Sequence, residues 1–295
     1  MNSAPIQNSI PIEHLAIPTN GVHLHVVAAG PQDGPVVILL HGFPEFWYGW
    51  RYQIPALAAA GFRVLVPDQR GTNTSDKPAG LDAYRLDTLA DDVGGLIDWT
   101  GRDRVFLIGH DWGAAVAWWV ALRCPERLHS LIILNVPHPV IMLSMLKANP
   151  RQMLKSWYIG FFQIPALPEV MLGLGGGYGM ANALLAASGE GSLNDTDIAQ
   201  YLNAWAQPGA LTGMLNWYRA IARRSPAMPA DPRIRVPTRI LWGDRDIALV
   251  PELADASAAL CDDVSVTHFP AASHFVQHDD PEAVNAAILE YLNEV

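Results

Sequence analysis

The chain has 295 residues, a mass of 32.2 kDa and a formal charge of −10 at pH 7, with 50% of its residues apolar and only 16% charged. That supply of apolar side chains excludes a disordered polypeptide. The acidic balance, with no Lys/Arg stripe to offset it, argues against a nucleic-acid partner. Two cysteines, Cys124 and Cys261, give no disulfide framework and fit a reducing, cytoplasmic setting. The opening stretch MNSAPIQNSIPIEH lacks the basic start and apolar core of a secretory signal. The apolar run Ala114–Leu122 is shorter than the roughly 20 residues of a membrane span. The chain is therefore expected to have no membrane partner and to work as a monomer or homodimer.

Along the chain, Asn20-Gly21 is a hairpin-turn dipeptide, and the apolar run that follows it, with Leu24 to Val27, reads as a strand. Val36-Val37-Ile38-Leu39-Leu40 is continuously apolar, as in a strand buried on both faces of a parallel sheet. It ends at His41-Gly42. Arg63 to Val66 ends at Pro67-Asp68, and Leu86, Leu89, Val93, Leu96 and Ile97 have helical spacing, with Gly101 as a stop. Arg104 to Ile108 ends at Gly109, Leu131 to Val136 at Pro137, Thr238 to Trp242 at Gly243, and Val264 to Phe269 at Pro270. Strand alternating with helix predicts an α/β fold, a mostly parallel sheet with helices on both faces. Chemistry in such sheets gathers at the carboxyl ends of the strands.

Residues 138–236 break this rhythm. They show no clear strand and many aromatic, Gly and Pro residues. They are expected to form a helical cap between two halves of a core, 1–137 and 237–295. The glycine-rich piece Gly173–Gly179 has no preceding strand and no following Lys-Ser/Thr, so it reads as a flexible lid loop and not a phosphate loop.

The run Val105-Phe106-Leu107-Ile108-Gly109-His110-Asp111-Trp112-Gly113 takes a strand into a helix, with a glycine two residues before Asp111 and another two after it. This is the spacing of a nucleophile elbow, where small neighbours permit a strained turn. Serine is the usual centre. An Asp there could merely cap the helix, but as a nucleophile a carboxylate suits an sp³ carbon with a leaving group and would form an alkyl ester. The loop His41-Gly42-Phe43-Pro44-Glu45 directly follows a buried strand. By the logic of the elbow, the backbone N–H groups of Phe43 and Trp112 are the expected oxyanion donors. Ser144, Ser156 and Ser188 lack the strand-turn-helix setting a serine nucleophile needs.

Among ten histidines, His23 and His25 fall in an early strand, His129 after a helix end, His268 within a strand and His278 at the start of the final helix. His274 lies in the loop after the last strand, and the order nucleophile, acid, histidine is the one expected on this fold. Asp244 and Asp246 both follow Leu241-Trp242-Gly243. Asp246, farther into the loop, is the expected orienter, and Asp244 the turn residue. In the cap, SWYIGFF and NWYRA supply Tyr158 and Tyr218, and a phenol over the nucleophile would be a general acid. His41, Pro44, Trp157 and Phe162 are expected to line the substrate pocket.

Asp in GHDWG, the HGFPE loop and the two cap tyrosines together resemble the soluble epoxide hydrolases of the α/β-hydrolase superfamily, from the HGFP strand to His274. The resemblance implies hydrolysis of an epoxide to a vicinal diol, with Asp111 attacking carbon, Tyr158 and Tyr218 holding the epoxide oxygen, and His274 with Asp246 activating water. It implies no metal and no organic cofactor. Two departures bear on pocket shape: RGTNTSDKP, from Arg70 to Pro78, lacks the family's usual aromatic, and Ser273 precedes the histidine where Gly is usual. Haloalkane and haloacetate dehalogenases share the Asp elbow, but Phe43 offers no side-chain donor to halide, and Trp112 stands where a haloacetate enzyme would need Arg. A non-catalytic binding protein would lack nucleophile, base or acid, and this sequence has all three.

Overall fold

The computed structural model describes residues 10–294. One sheet contains β1 (Ile12–Thr19), β2 (Val22–Ala29), β3 (Val36–Leu40), β4 (Arg63–Pro67), β5 (Val105–His110), β6 (Leu128–Leu134), β7 (Thr238–Gly243) and β8 (Val264–Phe269). Their spatial order is β1-β2-β4-β3-β5-β6-β7-β8. The β1–β2 and β2–β4 pairs are antiparallel and every other pair is parallel. Asn20 and Gly21 close the first hairpin with positive φ, 43° and 76°, a conformation these two residue types adopt most readily.

Alternate residues of each central strand serve two different cores. Val36, Ile38 and Leu40 of β3, with Val105 and Leu107 of β5, pack against the helices Leu86–Thr100 and Trp112–Arg123. Val37, Leu39, Phe106 and Ile108 face the helices Gln53–Ala59 and Pro281–Glu294 on the other side. The period of two sorts the side chains, and because both faces are covered no polar alternation shows. The helix Leu86–Thr100 buries the predicted stripe of Leu86, Leu89, Val93, Leu96 and Ile97, and Gly101 ends it at φ 68°. Each of those side chains contributes about 2 kcal/mol by leaving water.

β1 pairs with β2 across the Asn20-Gly21 turn, although its sequence, IEHLAIPT, shows no clean alternation. Two local expectations change. The strand expected over 131–136 spans Leu128–Leu134 and ends where Asn135 turns to φ 46°; His129 therefore lies in a strand. His278 belongs to the short helix Val276–Asp279, ahead of the last one.

Between β6 and β7 the chain forms six α-helices: Pro139–Ala148, Pro150–Lys155, Trp157–Phe161, Leu167–Ala187, Asp195–Trp205 and Ala210–Arg224. Pro139 and Pro150 stand in first turns, where a missing N–H is no loss, and the side chains of His138 and Asn149 accept from the free amides that follow. Asn194 and Asp197 form a reciprocal capping box. The glycine-rich piece is part of Leu167–Ala187, not a free loop. Leu174 to Gly177 leave helical geometry and break that element in two. The halves fold back so closely that a Cβ on Gly179 would collide with the Met171 carbonyl. By length and composition this is the one helix among the described residues apolar enough to cross a membrane, yet neither half approaches the ~20 residues a span needs.

The cap sits over the carboxyl edge of the sheet. Trp205 donates its indole N–H to the Pro44 carbonyl after β3 (2.6 Å), Trp217 to the Arg70 carbonyl after β4 (3.1 Å), and Lys155 its ammonium to the Asp246 carbonyl after β7 (2.6 Å).

Candidate active site

β5 runs into the helix Trp112–Arg123 through Asp111, at φ 48° and ψ −124°. A non-glycine residue held there stores roughly 1–3 kcal/mol of strain. Its neighbours show why the turn closes. A Cβ on Gly109 would strike the Gly113 backbone, and one on Gly113 would strike the carbonyls of Leu40 and His41. The Asp111 side chain makes no capping bond to the helix. Instead Oδ1 accepts the Phe43 backbone N–H at 2.6 Å, and Oδ2 lies 3.4 Å from Nε2 of His274. Trp112 opens the helix, so its N–H has no intrahelical partner. Of the two expected oxyanion donors, the Phe43 N–H is thus bonded to the carboxylate, and Trp112 is the next residue in the chain.

His274 donates from Nδ1 to Oδ2 of Asp246 at 2.6 Å. Asp246 is held from every side: Oδ1 accepts the N–H groups of Ala248 (2.7 Å) and Leu249 (3.0 Å), and Oδ2 also accepts from the Asn135 amide (2.9 Å). Asp244 turns away to His268, 2.6 Å from its Nδ1. Burial opposes charge on His274, but the Asp246 and Asp111 carboxylates outweigh it and push the imidazole up to about 10. Burial likewise opposes charge on Asp111, yet the His274 ring holds its carboxyl below the ordinary range. Each group thus favours the charged form of the other.

A cavity of about 390 Å³ opens from Asp111, and Tyr158 and Tyr218 line it together with Trp112. The phenol rings meet edge to face at 5.9 Å. Burial, followed by the Asp111 charge, raises both phenols above their ordinary range. Apart from Asp111, the phenols and tryptophan rings, Ser225 is the one polar side chain on the wall.

The four residues expected to line the pocket do other things. His41 is fully buried and joins two loops, accepting the Gln69 N–H at Nε2 (3.0 Å) while its own carbonyl accepts the Gln69 amide (2.6 Å). Pro44 is buried beneath the cap, where its carbonyl holds Trp205. Trp157 is 68% exposed on the outer surface of the cap. Phe162 stands behind the phenols, 4.9 Å from the Tyr218 ring and 5.7 Å from Tyr158. None of the four borders the cavity.

Other residues matter that the sequence reading passed over. Asn135 follows β6 directly and secures Asp246; the strand-end rule applied to β6 would have found it. Glu45, quoted only as the end of a motif, is a buried hub. Its Oε1 accepts from Tyr201 (2.7 Å) and His278 (2.6 Å), and its Oε2 accepts from Gln277 (3.1 Å) and lies 3.1 Å from Nδ1 of His110. Burial works against this charge, but the two imidazoles hold the carboxyl well below its usual range. His110 in turn donates from Nε2 to the His274 carbonyl at 2.9 Å. Asp279 accepts the Ser273 N–H (2.6 Å) and the Gly189 N–H in the cap (2.8 Å). Gln152 in the cap donates to the Ala248 carbonyl (2.9 Å) and accepts the Val250 N–H (3.0 Å).

A family model for the alpha/beta hydrolase fold matches residues 35–281. The chain is 47% identical over 274 residues to the AB hydrolase superfamily protein YfhM of Bacillus subtilis, covering 93% of this chain and 96% of that one. It is 35% identical to epoxide hydrolase A of Mycobacterium tuberculosis, over 96% and 97% of the two chains. It is 36% identical to human epoxide hydrolase 4, over 95% and 78%. A mutant Bacillus megaterium epoxide hydrolase solved with its naphthyloxy-propanediol product aligns at a TM-score of 0.87 and 32% identity, covering 95% of this chain and 100% of that one. The chain therefore belongs to the α/β-hydrolase fold family and, within it, to the epoxide hydrolases.

Proposed function

We propose that this protein hydrolyses apolar epoxides to vicinal diols through a covalent ester on Asp111. The observation that carries the reading is a carboxylate and two phenols on the wall of one apolar cavity, with an imidazole that has its own carboxylate partner 3.4 Å from that first carboxylate. The Bacillus megaterium relative supports it, since its product is a diol with an aromatic ether at one end.

In the first step Oδ2 of Asp111 attacks a ring carbon from behind, and the carbon–oxygen bond opposite breaks. Tyr158 and Tyr218 hydrogen-bond the departing oxygen and give it a proton. The timing follows from charge. Both phenols are poor acids while Asp111 is anionic. Ester formation removes that charge as the alkoxide develops, so their proton affinity falls when a proton is needed. His274 loses the same negative neighbour. The imidazolium releases its proton, restoring the phenol, and becomes a base.

In the second step His274, oriented by Asp246, deprotonates water, which attacks Cγ of Asp111. Negative charge moves to Oδ1, already seated on the Phe43 N–H, with the Trp112 N–H as the second donor; one such donor is typically worth about 3 kcal/mol. The ester bond breaks, the imidazolium protonates the leaving oxygen, and the diol departs. The chain's own residues carry every step, in a setting we take to be the cytoplasm, which suits two unpaired thiols.

A single turnover in heavy-oxygen water tests the ester. The expected result is label in the Asp111 peptide and an unlabelled first diol; label in the diol alone would mean direct attack of water on the substrate. The phenols have their own test. Tyr158→Phe and Tyr218→Phe should each slow ring opening by about 10- to 100-fold, and the double variant should lose it. A double variant with near-normal diol release would remove the phenols from the mechanism.

A further inference from the structure

We propose that the site selects terminal epoxides, those bearing one apolar substituent on one ring carbon, because the cavity leaves Asp111 on one side only. The proposal rests on the epoxide-hydrolase reading above.

The cap packing supplies the asymmetry. From Asp111 the cavity runs out between the helices Trp112–Arg123, Pro139–Ala148 and Ala210–Arg224, past Leu86 at the start of Leu86–Thr100, with Ala115, Trp119, Met142, Ile221 and Met228 on its wall. Leu143 also lines it and is 48% exposed, which puts the mouth at that end. Off the cavity, against Tyr218, stand Phe43 and Phe162. Their rings are 5.4 Å apart, and Tyr218 touches both, at 5.3 Å and 4.9 Å. Leu172 and Leu211 fill in behind them, and neither phenylalanine borders the cavity.

An epoxide whose oxygen is held by two phenols, with one carbon in line with Oδ2, has little rotational freedom. Its two carbons then face opposite flanks. A substituent on one enters the apolar channel. A hydrogen on the other fits against the Phe43–Phe162 wall, but an alkyl group there must displace close-packed rings.

Two isomers of one composition isolate this geometry: a decene oxide with the ring at the chain end, and the trans isomer with the ring at mid-chain. Both bury the same number of carbons, so hydrophobicity cancels. The terminal isomer is expected to have the higher kcat/KM, by about 10- to 100-fold. Lengthening terminal oxides one methylene at a time should raise kcat/KM by up to about fourfold per step until the channel is full. Phe162→Leu, which keeps the position apolar but removes the ring, should narrow the ratio between the isomers. Turnover of neither isomer would sink the epoxide reading itself. Equal turnover of both, or a ratio favouring the mid-chain ring, would sink the one-sided site alone. An unchanged ratio in a folded Phe162→Leu enzyme would remove Phe162 as the wall.

Discussion

Asp111→Asn is expected to lower the initial rate of diol release at least about ten-thousandfold, roughly 5 kcal/mol of barrier. An amide is no nucleophile toward an sp³ carbon, and nothing else on the cavity wall could replace it: the remaining oxygens are the two phenols and Ser225. The fold should survive, because Asn tolerates positive φ as well as any residue other than Gly and keeps an oxygen for the Phe43 N–H. A second consequence follows. The substituted amide occupies the place of the ester, with His274 and both oxyanion donors around the same carbon. Slow attack of water there should restore the carboxylate, so activity should return with the mass change from amide to acid. The check is diol release followed beside intact-protein mass. More than about one per cent of normal activity in protein that still has the amide mass would sink the ester mechanism.

His274→Gln is expected to divide the reaction in two. Ring opening needs only Asp111 and the phenols, so about one equivalent of epoxide should be consumed. Water would then have no base, and steady turnover should fall by about 100- to 10,000-fold. Intact-protein mass should rise by the mass of the substrate and stay there. The direction of the pH effect also follows. In the native protein the His274 ring does most to hold the Asp111 carboxyl down against burial, ahead of His110 and the Phe43 N–H; without that ring the carboxyl rises. Trapping should therefore become more efficient as pH increases. A folded variant that never gains mass at any pH would assign His274 some role other than activating the second water.

The parts of the site set by strand ends were readable from residues alone. Asp111 lies where a buried strand must bend into a helix, and Asp246 and His274 lie in loops that the parallel order forces to the same edge. Gly109 and Gly113 announce the bend because any side chain there would strike backbone. What a strand or helix period cannot reveal is which way a loop side chain faces once the cap has settled. His41 and Trp157 show the two ways of failing. One is a buried imidazole whose two nitrogens meet the Gly42 carbonyl and the Gln69 N–H, the other an indole left on the outer surface. Asn135 went unseen because its role exists only across 111 residues of sequence, in its bond to Asp246. The Gly173–Gly179 piece reads as coil by composition, yet flanking apolar residues wind it into a helix on either side of a break.

Each half of the cap is bolted to one of the two loops that bear the proposed water-activating pair. Gln152 and Lys155 grip the segment bearing Asp246, while Gly189 and Tyr201 are tied through Asp279 and Glu45 to the segment bearing His274. On the proposed mechanism, the surface that chooses a substrate and the machinery that finishes it are thus one mechanical piece. Damage to the roof, even well away from the bound molecule, would register downstream: the catalyst would still load, but it would be slow to unload.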